Sequence, residues 1–186
     1  MIYYISDTHF GHDSIIDLCN RPFESTNEME ILIIELWNAK VSGNDTVFII
    51  GDLFYRHKDP ENVLKHLKGK KRLIKGNHDN SWMSKGDFSK YFQSVDSYLE
   101  ISDGKRNIVL CHYPLMTWKH PQKTYMVHGH VHNRTGTEYW PLIKNNPRIL
   151  NAGVDVNGFS PVTFEQMLVN NECFKEGLCI GDITIG

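Results

Sequence analysis

The sequence predicts an α/β fold built around a largely parallel sheet, and two observations carry that prediction. Short apolar runs alternate with amphipathic stretches through the first half of the chain, in the order strand, helix, strand, helix, strand. That is the rhythm of βαβ units. Small clusters of Asp, His and Asn stand directly after those apolar runs. In a parallel sheet, sites form beyond the carboxyl ends of the strands.

Ile2 to Ser6 reads as a first strand, apolar enough to be buried on both faces. Ser14 to Cys19 reads as a short helix. Thr26 is placed to cap a longer helix over 27–40, with Met29, Leu32, Ile33, Leu36 and Trp37 on one apolar stripe. Gly43-Asn44-Asp45 makes a turn into a second buried strand, Thr46 to Ile50. Pro60 opens a helix to about Lys68, closed by Gly69. Arg72 to Lys75 reads as a third strand. After about Asp87 the chain becomes richer in strand. Ser97 to Ser102 and Asn107 to Cys111 read as a hairpin around Asp103-Gly104, followed by Tyr125 to Val127 and Arg148 to Asn151. These predict a second sheet. Pro161 to Glu165 opens a helix to about Val169, and from Asn170 onward the pattern is ambiguous.

A chain of 186 residues without repeat, linker or low-complexity tract fits one domain with a sizeable core. A formal charge of −2 gives no long-range pull toward nucleic acid or membrane, so a phosphorylated substrate would be held by local groups. The four cysteines form no Cys-x-x-Cys pair, which argues against a zinc ribbon. The first residues lack a basic segment followed by an apolar one, and no apolar run nears the roughly 20 residues of a membrane span. Reduced cysteines and a cytoplasmic location are the expectation.

Ten histidines are many for this length, and five of them fall in the clusters. The clusters read Asp7-Thr8-His9, Gly51-Asp52, Gly76-Asn77-His78-Asp79, His112 in Cys111-His112-Tyr113-Pro114, and Gly129-His130-Val131-His132. Asp-x-His and His-x-His put two ligands on one side of a strand end. Gly51 lets the backbone bend next to Asp52, whose two oxygens can bridge two ions. Carboxylate, imidazole and amide oxygen together suit Mn, Fe, Ni or Zn rather than Ca or Mg alone.

In this order the clusters resemble the calcineurin-like metallophosphoesterase superfamily, over residues 5 to 132. The start, Ser6-Asp7-Thr8-His9-Phe10-Gly11-His12 with Asn20-Arg21-Pro22-Phe23, resembles one subgroup of its small bacterial and phage members. The resemblance implies a four-layer αββα sandwich of two mixed sheets flanked by helices, as a single domain over residues 1–186. It implies that Asp7, His9 and His132 hold a first metal, that Asn77, His112 and His130 hold a second, and that Asp52 bridges them. Two divalent ions, Mn first with Fe, Ni or Zn as alternatives, are the implied cofactors. Ions about 3.5–4 Å apart can share a hydroxide that attacks phosphorus in line. His78 is the candidate general acid, and Arg56 matches an arginine that contacts phosphate in the protein-phosphatase branch. His128 matches no ligand position. Where some members carry an Asp or His partner for the histidine, this chain has Tyr55, and Asp79 is a possible substitute.

His12, Asn20 and Arg21 are candidates for the rim of the cleft. The basic run Lys65, Lys68, Lys70, Lys71, Arg72 and Lys75 could draw polyphosphate or nucleic acid. Trp118, Tyr139 and Trp140 could stack on a base. The favoured function is hydrolysis of nucleotide phosphodiesters. Alternatives are a phosphomonoesterase, a nuclease and, last, a non-catalytic scaffold on the same fold. The expected partner is a small phosphorylated substrate, with nucleic acid as a further option, no membrane, and a monomer or homodimer. A serine or cysteine hydrolase lacks its nucleophile elbow.

Overall fold

The computed structural model describes residues 1–178. Two four-stranded sheets pack face to face, with helices on the outer faces. The first sheet holds β1 (Ile2–Ile5), β2 (Thr46–Ile49), β3 (Lys70–Ile74) and β4 (Phe92–Asp96) side by side in chain order. All three of its pairings are parallel. Parallel neighbours need crossovers, and these carry α1 (Ile15–Cys19), α2 (Thr26–Lys40), α3 (Pro60–His66) and α4 (Asp79–Met83). The second sheet holds β5 (Tyr98–Ser102), β6 (Asn107–Cys111), β7 (Thr124–His128) and β8 (Ile149–Asn151). Its β5–β6 hairpin is antiparallel and its other pairings are parallel. The four-layer α/β sandwich is as expected, but only the second sheet is mixed, because only it contains a hairpin. Helix α5 (Trp140–Lys144) precedes β8, and α6 (Phe164–Glu176) follows it.

Strand alternation sorts the apolar residues into three cores. Tyr3, Ile5, Val47, Ile49 and Leu73 face Met29, Ile33 and Trp37 of α2 and Val63 and Leu64 of α3. Tyr4, Phe48 and Ile74 point the other way, onto Ile108, Leu110, Val127 and Leu150 of the second sheet. Val109, Met126 and Ile149 cover the far face with Trp118 and Ile143. Phe164 and Met167 of α6 close the inter-sheet core.

Several elements differ from the sequence prediction for identifiable reasons. The stripe on α2 is narrower: Met29, Ile33 and Trp37 are fully buried, whereas Leu32 is 37% exposed. Spacing of four residues alone faces the flat sheet. The cap of α2 is Ser25, whose Oγ accepts from Glu28 N, one residue before Thr26. β3 begins at Lys70, because the buried Lys71 turns its Nζ back to the Leu67 carbonyl at 2.7 Å. β4, α4 and α5 are short or half-exposed and gave no clear periodicity. Helix α6 opens at Phe164, behind a Thr163–Gln166 capping box, and runs past Asn170 to Glu176. Asn171 is buried there and bonds the Asn151 backbone at N–H and carbonyl. No helix among the described residues is long and apolar enough to cross a membrane. Cys19, Cys111 and Cys173 are free thiols, and Cys179 lies outside the described residues.

The register of α2 is testable by paired substitutions. Ile33→Ala costs about 2–5 kcal/mol of unfolding free energy. Leu32→Ala, on the exposed side, stays within about 1 kcal/mol. Urea denaturation at a common m-value measures both.

Candidate metal centre

The five clusters all lie beyond the carboxyl ends of parallel strands: β1, β2, β3, β6 and β7. The chain leaves these strands in left-handed turns. Asp7, His9, Asp52, His130 and His132 have φ between 52° and 69°. Such values are uncommon outside glycine and cost about 1–2 kcal/mol per residue. Here the turns are pinned to one another. Asp7 N donates to Gly51 O at 3.0 Å and His9 N to Asp52 O at 3.1 Å. Thr8 Oγ1 donates to Leu53 O at 2.7 Å.

Two groups of side chains converge as a result. Ligand atoms of Asp7, His9 and His132 lie within 4.8 Å of one another, as do those of Asp52, His112 and His130. Asp52 links the two groups: its Oδ2 is 3.4 Å from His112 Nε2 within its own group and 3.6 Å from His9 Nε2 of the other. Asn77 Oδ1 lies 3.2 Å from His112 Nε2. All seven expected ligands are therefore gathered. His78 adjoins them, with Nε2 3.8 Å from Asp52 Oδ2 and its backbone N–H donating to Asp52 Oδ1 at 2.9 Å.

The arrangement fits divalent metals on three counts. His9 Nε2 is buried with no hydrogen-bond partner, an orphan that a metal bond would satisfy. A Cβ on Gly76 would collide with the Asp52 carboxylate, and one on Gly129 with that of Asp7. Only glycine allows the chain this close. The donors are carboxylate, imidazole and amide oxygen, a set for Mn, Fe, Ni or Zn.

Buried partners orient the imidazoles. His112 Nδ1 bonds Ile50 O at 2.9 Å, which turns its Nε2 toward Asp52 and Asn77. His132 Nδ1 bonds Asp155 Oδ2 at 2.8 Å. Asp155 in turn takes a two-pronged bond from Arg21, Nε to Oδ1 at 2.7 Å and Nη2 to Oδ2 at 3.1 Å. Arg21 also donates to Thr8 O and Asp7 O. Burial disfavours the charged form of His132, but the Asp155 bond and the Asp7 charge prevail and raise it to about 10. Burial likewise opposes charge on His112, and the Asp52 bond raises it to about 9. Burial and the neighbouring His132 drive His9 down to about 2.

Other expected candidates fall elsewhere. Arg21 is not at the rim but buried behind the centre. Asn20 is exposed, ending α1 in the left-handed conformation. Asp79 is not a partner of the His78 ring. Its buried carboxylate accepts from Asp52 N, Leu53 N, Gly76 N and Trp82 Nε1, at 2.8–3.1 Å. His128 is buried, bonded through Nδ1 to Gly129 O, and lowered to about 4 by burial. Lys71 is turned inward, and Arg72 bonds Ser94 Oγ and lies over Phe48. Trp118 is buried in the outer core with its Nε1 on Thr124, and Trp140 packs on Phe174. Of the three aromatics, Tyr139 alone is exposed. Arg56 is exposed, its guanidinium 5.2 Å from the Tyr55 ring centre. The motifs do not announce Asp155. The available signal is Gly153-Val154-Asp155 just after β8, one more carboxylate beyond a strand end.

A sequence model of the calcineurin-like phosphoesterases matches residues 1–176. The chain belongs to this family. An uncharacterised protein of Methanocaldococcus jannaschii is 33% identical over 185 residues, covering 98% of this chain and 97% of the relative. The Gene 66 protein of Mycobacterium phage D29 is 26% identical over 208 residues, covering 95% and 98%. The crystal structure of a protein of unknown function from Aquifex aeolicus superimposes with a TM-score of 0.67 at 28% identity, covering 87% of this chain and 94% of that one. The resemblance carried by the five clusters is thus a family membership, and this phosphoesterase fold spans almost the whole of each relative.

Asp155→Asn keeps the shape at His132 but loses the carboxylate. It is expected to weaken divalent-metal binding by about 10–100-fold. Isothermal titration with Mn²⁺ measures this, and an unchanged affinity would remove Asp155 from the centre.

Proposed function

We propose that this chain is a dinuclear metal-dependent phosphoesterase whose substrates are phosphodiesters of nucleotides. The observation that carries the reading is the Asp52 carboxylate, which belongs to one three-residue group with His112 and His130 and whose Oδ2 also lies 3.6 Å from His9 Nε2 of the other. Asp7, His9 and His132 would hold one ion and Asn77, His112 and His130 the other, with Asp52 shared between them. When bound, the two divalent ions (Mn first; Fe, Ni or Zn as alternatives) supply positive charge to the phosphoryl oxygens and make water a nucleophile near neutral pH.

The protein's own groups do the rest. Asp52 fixes the separation of the two groups and takes the His78 backbone N–H, which places the His78 imidazole over the same carboxylate. His78 is half-buried, so it can meet a substrate and donate a proton to the departing alkoxide. Arg56 presents a guanidinium that can grip two phosphoryl oxygens. A small substrate is favoured over a nucleic acid because the basic run is thinned: Lys71 and Arg72 are engaged internally, which leaves Lys65, Lys68, Lys70 and Lys75. The complete ligand set speaks against a non-catalytic scaffold. The free thiols accord with a cytoplasmic location.

The deciding experiment is hydrolysis of bis-p-nitrophenyl phosphate with Mn, Ni, Zn or Mg, extended to phosphomonoesters, cyclic and linear diesters and short nucleic acids. Metal-dependent turnover abolished by a chelator is expected. A folded protein inert with every metal and ester would sink the proposal. His78→Ala is expected to keep both ions and lose about 10²–10⁴ in kcat. Asp52→Asn loses the second ion and activity together, so full activity with two bound ions in that variant would exclude a bridge.

Ligation needs neutral imidazoles, and the raised His112 and His132, at about 9 and 10, hold protons that metal must displace. Mn²⁺ affinity should therefore rise with pH until about 9–10, where both imidazoles are neutral without metal. Titrations in buffers of different ionisation enthalpy should register proton release.

A further inference from the structure

His12 and Tyr55 lie beside the proposed centre, and neither has a part in the reading above. Their rings stack, with centroids 3.9 Å apart and planes inclined by 31°. On one side, His12 Nδ1 lies 3.1 Å from His9 Nδ1, and His12 Nε2 lies 3.1 Å from the Ser14 hydroxyl. On the other side, the Tyr55 and His78 rings meet edge to face, 4.8 Å apart at 89°. His9 also meets His78 edge to face, at 5.4 Å and 66°. Among the described residues no hydrogen bond reaches the imidazole nitrogens of His78. Apart from the 3.8 Å approach of its Nε2 to Asp52 Oδ2, the ring is free to take other staggered positions. Its two ring contacts select one.

We propose that His12 and Tyr55 are positioning residues: the stacked pair holds His9 through the Nδ1–Nδ1 bond and His78 through the ring edge. The metal ligand and the proton donor then keep one fixed mutual geometry. This rests on the roles given above to His9 and His78. The tautomers are consistent with it. Ligation by His9 Nε2 requires the proton on His9 Nδ1, which then donates to His12 Nδ1. That leaves the His12 proton on Nε2, facing Ser14 Oγ. For Tyr55 the ring matters and the hydroxyl does not, since no hydrogen bond engages that hydroxyl among the described residues. Edge-to-face contact between rings prefers this perpendicular arrangement.

Tyr55→Leu, which keeps bulk but removes the ring, is expected to lower kcat by about 3–10-fold with KM and bound Mn unchanged. Tyr55→Phe restores kcat, and in a His78→Ala background Tyr55→Leu has no further effect. His12→Phe keeps the stack but loses the link to His9, and Mn²⁺ affinity falls by about 10–100-fold. An undiminished effect of Tyr55→Leu without His78, or an unchanged Mn²⁺ affinity in His12→Phe, overturns the proposal. The NMR resonance of His78 Cε1–H in isotope-labelled protein, recorded without substrate, is moved by Tyr55→Leu and returned by Tyr55→Phe. A resonance that stays put overturns the Tyr55 half whether or not the protein cleaves any ester. A resonance that moves in a protein that cleaves none retires the catalytic role of His78 and leaves the contact standing.

Discussion

The buried Asp79 carboxylate is the contact on which the centre depends. It gathers four N–H donors: Asp52 and Leu53 from the end of β2, Gly76 from the end of β3, and the Trp82 indole of α4. Burial pushes the carboxyl up, and the Gly76, Trp82 and Leu53 donors work against that shift. Leaving such donors unpaired in the interior would cost about 1–3 kcal/mol each. The carboxylate thus locks the turn that gives Asp52 its left-handed backbone and brings Gly76 against the Asp52 side chain. The Arg21–Asp155 pair does the equivalent on the other flank. It ties the Asp7 and Thr8 carbonyls to the partner of His132. A buried ion pair of this kind is costly unless every donor and acceptor is used. Here the guanidinium bonds one carboxylate and two carbonyls.

These struts explain how five side chains can sit at strained φ values in one place. A left-handed aspartate or histidine is tolerated where surrounding bonds over-determine it. Each strained turn is laced to its neighbour by backbone bonds such as Asp7 N to Gly51 O and His9 N to Asp52 O. The parallel first sheet is what makes the lacing possible. β1, β2 and β3 run the same way and end level, so their exits lie side by side. An antiparallel neighbour would have sent one of the clusters to the opposite edge.

The side chains that converge were legible in the sequence because each cluster is local. An apolar run, then a carboxylate or imidazole, needs no knowledge of tertiary contacts. The supports were not legible because they are remote or misleading. Arg21 and Asp155 are 134 residues apart in the chain, and no local pattern joins them. Asp79 looks like a neighbour of His78, yet its bonds go to the turns at Asp52 and Gly76. In the fold, apolar strands such as Thr46–Ile49 announced themselves, whereas β3 hid its start behind Lys70 and Lys71. The end of α6 was obscured by Asn170 and Asn171, whose polarity suggests a loop until Asn171 is seen bonding the β8 backbone. Polar residues that replace water with backbone partners read as surface in a sequence.

The same distinction bears on what draws a substrate in. A net charge of −2 provides no attractive field for a phosphate ester. Several cations that seemed available are tied down: Arg21 on Asp155, Lys71 on the Leu67 carbonyl, Arg72 on Ser94. On the proposed reading the attraction at the centre is short-ranged, from metal held there and from the exposed Arg56 beside Tyr55. A centre that worked this way would recognise the phosphoryl group itself and make little use of a long anionic chain. That is the physical ground for expecting small esters rather than polymers, and it follows from where the cations are spent, not from how many the chain contains.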